Sequence, residues 1–101
     1  MLTIQHPTIQ PTQDTYQIET TIGGLAYVLT TMWDGQSWYM DIAQGETVLA
    51  QGQGLRLYWP ILLGCTSPLA PAGYFTLISL TSDQSEAGRE DLGARCQLVF
   101  K

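Results

Sequence analysis

Few side chains in this sequence could do chemistry, and each stands without the partner that its chemistry requires. His6 is the only histidine, is followed by Pro7, and has no neighbouring acid to orient it as a general base. A thiol nucleophile needs a base beside it, and none accompanies Cys65, in a Gly-Cys-Thr turn, or Cys96, which alternates with Leu98. Asp41 lies between Met40 and Ile42, on the face that carries Tyr39. A carboxylate there faces solvent, orders backbone amides or meets a partner, whereas glycoside hydrolysis would need a second acid at a set distance. Glu90 and Asp91 are the other acids to recruit, and nothing in the spacing brings them to Asp41. Nor do Glu86, Glu90 and Asp91 follow the ligand spacing of a calcium loop. No Walker sequence and no strand–GxGxxG–helix unit is present. The expectation is a chain that is not an enzyme and has no catalytic, cofactor-binding or metal-binding residues. His6 then reads as an edge or surface polar residue and the cysteines as structural, either free thiols or a single bridge between Cys65 and Cys96.

The aromatic residues remain. Trp33, Trp38 and Trp59, with Tyr27, Tyr39, Tyr58 and Tyr74, suit a packed core, a subunit interface or a sugar-stacking platform. Which of these they form depends on the elements that carry them, and those elements are strands. Turn signals recur roughly every ten residues, and no window sustains a helical period. Met1–Gln5 reads as a strand opening a proline-punctuated arm over residues 1–15. Tyr16–Ile22 and Leu25–Trp33 form a hairpin across Gly23-Gly24, and Asp34-Gly35 turns the chain into Trp38–Ala43. There Trp38, Met40 and Ile42 share one face. Gly45 leads into Thr47–Gln51, and Gly52 and Gly54 mark a bulge or bend before a further strand, Leu55–Trp59. Pro60–Gly64 is expected to make one helical turn, and the two prolines in 66–73 make that stretch a loop. Tyr74–Leu80 reads as a largely buried strand, residues 82–92 as an acidic, solvated loop, and Ala94–Phe100 as the last strand. The fold class is all-β: one small antiparallel sandwich or partly open barrel of seven to eight strands, with at most one helical turn.

Composition limits the partners. The chain is 45% hydrophobic and only 13% charged, against about 25% for ordinary domains. Threonine and glutamine cover much of the remainder, a surface that suits either contact with other protein or plain solvation. The formal charge is −5, Lys101 is the only lysine, and Arg56, Arg89 and Arg95 are scattered, so no cluster exists to neutralise a nucleic-acid backbone. No charged-then-apolar leader pattern opens the chain, and no apolar run approaches the ~20 residues of a membrane helix.

The order of these pieces carries a resemblance. The GG hairpin, Trp-Asp-Gly followed by Trp38-Tyr39 and Asp41-Ile42, the glycine-broken stretch at Gly52, and Asp91-Leu92-Gly93 with Arg95 before the last strand resemble the small baseplate plug proteins of contractile-tailed phages, the family typified by a cyanophage plug. The pattern positions are Asp34, Gly35, Trp38, Tyr39, Asp41, Ile42, Gly52, Asp91, Leu92, Gly93 and Arg95, within about residues 16–100. Residues 60–71 fit least well, and the N-terminal arm lies outside the pattern. The resemblance implies a non-enzymatic virion component, made in the bacterial host cytoplasm and built into the tail baseplate near the hub at the distal end of the tube. Its partners would be hub and baseplate subunits or further copies of itself, with no nucleic acid and no membrane span. Tyr58, Trp59, Leu62 and Leu63 are the candidate partner interface. The alternative is a small carbohydrate- or ligand-binding β-module that uses exposed aromatic residues.

Overall fold

The turn residues divide the chain as the alternation requires. The computed structural model describes residues 2–63 and 67–101. Its strands are β1 (Leu2–Ile4), β2 (Thr15–Ile22), β3 (Leu25–Trp33), β4 (Trp38–Gln44), β5 (Thr47–Gly54), β6 (Phe75–Ser79) and β7 (Cys96–Phe100). Strands β2-β3-β4-β5 form a four-stranded antiparallel meander, and β1-β7-β6 form a three-stranded antiparallel sheet. No ladder joins the two sheets among the described residues, and their inward side chains meet in one core. Of the two architectures expected, this is the sandwich.

The period of two decides which residues enter that core. Tyr16 and Ile18 of β2, Tyr27 and Leu29 of β3, and Trp38, Met40 and Ile42 of β4 face Ile4, Phe75, Leu77, Cys96 and Leu98 of the other sheet. Cys96 is a buried free thiol among the described residues, and burial pushes its pKa up, the opposite of a reactive thiolate. Cys65 lies outside the described residues.

Local chemistry sets the hairpins. Ile22 pairs with Leu25 across Gly23-Gly24, both at positive φ (60° and 83°), the backbone of a type I′ turn. The next loop is longer, since Trp33 pairs with Trp38 and residues 34–37 lie between. Asp34 Oδ1 accepts the amides of Gln36 and Ser37, both at 2.8 Å. Those two donors hold its carboxyl below the usual range, the Ser37 amide most strongly.

Two expectations are corrected between Gly52 and Leu63. The strand before the glycines continues through them to Gly54, and Leu55–Trp59 is not a strand. The reason is a change of partner. The Leu55 amide still donates to Trp38 O on the four-stranded sheet (2.9 Å), but the Tyr58 amide donates to Leu77 O on the other (2.7 Å). Ile61 then exchanges amide bonds of 2.7 and 2.9 Å with Phe75. A segment that crosses from one sheet to the other cannot keep one ladder. The helical turn expected at Pro60–Gly64 is also absent among its described residues: Ile61 is bridged to Phe75, and Leu62 has a φ of 72°.

Gly52 is a bulge with a built support. The β4–β5 register shifts between Met40 and Ile42, and the Gly52 amide donates to Asp41 Oδ1 at 2.7 Å. Asp41 therefore orders backbone. Asp41→Ala is expected to cost about 1 kcal/mol, because a hydrogen bond to a charged acceptor is lost at a half-exposed site. The melting temperature should fall by about 4–8 °C; an unchanged value would show that the bulge holds without its carboxylate.

Candidate functional site

The tyrosines and tryptophans divide sharply by environment. Trp38 is 1% exposed and Tyr27 is fully buried, whereas Trp59 is 63% and Tyr58 54% exposed. Leu63 is likewise exposed, but Leu62 is half-buried and packs on the core. Of the four candidate interface residues, three face outward and Leu62 anchors the segment that carries them.

That segment is held from both sides. The Leu57 amide donates to both carboxylate oxygens of Glu86 (3.0 and 3.3 Å), the Thr76 hydroxyl donates to Trp59 O (3.0 Å), and Tyr58 Oη accepts the Ser79 amide (3.4 Å). Two non-glycine residues in it, Tyr58 (φ 60°) and Leu62 (φ 72°), occupy the left-handed region. Each such residue costs about 1–2 kcal/mol, and the bonds to β6 and Glu86 offset it. The result is an exposed tryptophan on a fixed backbone beside a covered sheet edge.

The Asp-Leu-Gly-x-Arg pattern builds the support behind this segment. Arg95 donates to the carbonyls of Asp83 (2.8 Å), Ser85 (2.9 Å) and Glu86 (3.2 Å), and pairs with Asp91 at 3.2 Å. Asp91 Oδ2 also accepts the Gly88 amide at 2.8 Å; that donor first, and Arg95 next, hold its carboxyl below the usual range. Leu92 is buried, and Gly93 packs where a Cβ would come 3.1 Å from His6 Cβ. The acidic loop is thus solvated outside but pinned inside, since Ala87 is buried and Trp38 Nε1 donates to Gly88 O at 3.0 Å. Arg89 ties the loop to the N-terminal arm through Gln10 O (2.7 Å), Gln13 O (2.8 Å) and Asp14 (3.0 Å). Sequence reading missed this role of both arginines.

His6 departs from the surface position expected of it. Its ring lies 5.0 Å from Tyr16 and 5.8 Å from Trp38, half-buried. Pro7 O can only accept, so Nδ1–H donates to it (2.8 Å) and Nε2 accepts from the buried Thr31 hydroxyl (2.7 Å). That arrangement suits the neutral ring, and burial lowers the pKa below 6.5 despite the Pro7 bond. The unfolded chain therefore takes up the proton first as pH falls. Stability from this site is full above pH 6.5 and is lost as pH drops from there through the folded-state value. Urea midpoints measured across that window should decline for the native chain and decline less for His6→Gln; parallel curves would reject the assignment.

Among the described residues, no three His, Cys, Asp or Glu side chains come together as metal ligands, and no helix is long and apolar enough to cross a membrane. What the geometry offers is a small sandwich that presents aromatic and aliphatic side chains on a crossover segment. The chain belongs to the family described as Cyanophage baseplate Pam3 plug gp18, which matches residues 1–101. The match includes the N-terminal arm and residues 60–71, where the resemblance in the sequence was weakest. The chain is accordingly a structural component of the baseplate plug type. Comparison with curated proteins found no match.

Proposed function

We propose that this chain is a non-catalytic plug subunit that docks near the tail hub at the distal end of the tube, through the crossover segment that bears Tyr58, Trp59 and Leu63. Within the plug family, the observation that carries the docking surface is the exposure of Trp59 on a backbone fixed by Thr76, Leu77 and Glu86. A large aromatic side chain on a fixed backbone has only two torsions left to lose on binding, one reason why tryptophan is prominent in interface energetics. Synthesis in the host cytoplasm precedes assembly in this reading, and a partner strand can also extend β2 or β5, the outer strands of the meander.

Incorporation into phage-like particles tests the surface. Trp59→Ala and Leu63→Asp should keep the native melting temperature but reduce particle occupancy, by about thirtyfold if Trp59 contributes the ~2 kcal/mol of an interface hot spot. Normal occupancy of both variants would move the docking surface elsewhere. Leu62→Asp is unsuitable, because Leu62 packs on the core and its replacement would weaken the fold itself.

A further inference from the structure

We infer that the cleft beside Trp59 is a carboxylate-binding site, in which Arg56 and the Trp59 indole together receive an acidic side chain flanked by an apolar residue on a neighbouring tail subunit. This rests on the interface reading above and adds the chemistry of the group that docks.

The disposition of the arginines carries the inference. Arg95 and Arg89 direct their guanidinium groups onto the chain's own carbonyls and carboxylates. Arg56 is exposed and makes no ion pair or side-chain hydrogen bond among the described residues. It lines a cleft of about 380 Å³ with Gln53, Gly54 and Trp59, and no acid among the described residues borders it. Glu86 lines an adjoining hollow with Arg56, but its carboxylate is turned to the Leu57 amide and makes no ion pair with Arg56 among the described residues. A guanidinium presents a planar fork that matches a carboxylate through two parallel bonds, and the neighbouring indole covers an apolar flank. Both residues stand on the crossover segment, whose backbone is held by Glu86, Thr76 and Leu77, so their positions on the surface are set before the partner arrives.

The net charge of −5 does not oppose this, since bulk charge is screened beyond about 8 Å at physiological ionic strength, whereas the forked contact acts at hydrogen-bond distance. A sugar is the weaker fit. Among the described residues, Trp59 is the only aromatic one bordering the cleft, and no carboxylate is there to accept hydroxyl protons.

The probe is the capped peptide Ac-Leu-Asp-Leu-NH2 against its asparagine counterpart, added to the full chain and read by tryptophan fluorescence and the Arg56 Nε–Hε resonance. The aspartate peptide should bind about tenfold more tightly, a preference that Arg56→Gln abolishes and Arg56→Lys only partly keeps, with melting temperatures unchanged. In particles, Arg56→Gln and Arg56→Glu should lose occupancy alongside Trp59→Ala. Equal binding of the two peptides overturns the carboxylate site, as does a fluorescence response to cello- or chito-oligosaccharides without aspartate preference. Normal occupancy of both Arg56 variants with loss of Trp59→Ala overturns it too, while leaving the interface standing. If Trp59→Ala, Leu63→Asp and the Arg56 variants all incorporate normally, the interface reading and the carboxylate site fall together.

Discussion

Trp38→Ala should lower the melting temperature by roughly 15–30 °C, the largest effect expected of any single substitution in this chain. Truncating a buried tryptophan costs about 3–5 kcal/mol, and in a domain of this size each kilocalorie moves the midpoint by about 4–8 °C. The position also joins four parts of the chain. Its ring lies 5.8 Å from His6 of the arm, 6.1 Å from Tyr16 of β2 and 5.5 Å from Trp33 of β3, and its N–H reaches Gly88 O in the acidic loop. Trp38→Phe separates packing from the hydrogen bond. It should cost less overall while increasing amide exchange in the loop around Gly88. If Trp38→Ala melts within a few degrees of the native chain, the arm, loop and hairpin do not depend on a common anchor.

Gly73→Ala should cost about 3 kcal/mol although it adds one methyl group. A Cβ at this position would come 2.2 Å from Lys101 O and 2.7 Å from the Phe100 ring, and the backbone φ of 151° already suits glycine alone. The crowding has a specific origin, because Tyr74 and Lys101 exchange amide bonds of 3.1 and 2.9 Å just beyond the β6–β7 ladder. Overpacking of a rigid site and backbone strain each contribute about 1–3 kcal/mol. Thermal unfolding of Gly73→Ala beside Gly45→Ala provides the control. Gly45 shares a positive φ but has open space around it, so its variant should lose only the conformational part. Equal losses would remove the close approach as the cause.

A subunit covered by neighbours needs few surface charges, and this chain's three arginines have separate tasks: Arg95 organises one loop, Arg89 fastens the arm to it, and Arg56 remains exposed beside Trp59. The strained backbone at Tyr58 and Leu62 lies in the same segment as that tryptophan. Strain of this kind persists where surrounding bonds over-determine it, and here those bonds come from β6 and from Glu86.

By itself, the amino-acid sequence determined the strand alternation and the hairpin turns. The alternation of Trp38, Met40 and Ile42, the Gly23-Gly24 and Asp34-Gly35 turns and the closing strand through Leu98 follow from a period of two and from local φ preference, and the structure has them all. Asp41 and Gly52 were each legible as notable, and folding alone made them one bulge. Tertiary structure decided the rest. Leu55–Trp59 has the composition of a strand, but it gives the Leu55 amide to one sheet and the Tyr58 amide to the other, a choice that no local period records. Gly73 reads as an ordinary loop glycine until the chain end closes over it. His6 reads as an edge or surface polar residue and Arg95 only as a pattern position, because their partners, Thr31 and the carbonyls of residues 83–86, are set by how the arm and loop close on the core. Alternation and turn preference act between adjacent residues, whereas burial, close approach and the pairing of a charge are properties of segments that meet only when the chain has folded.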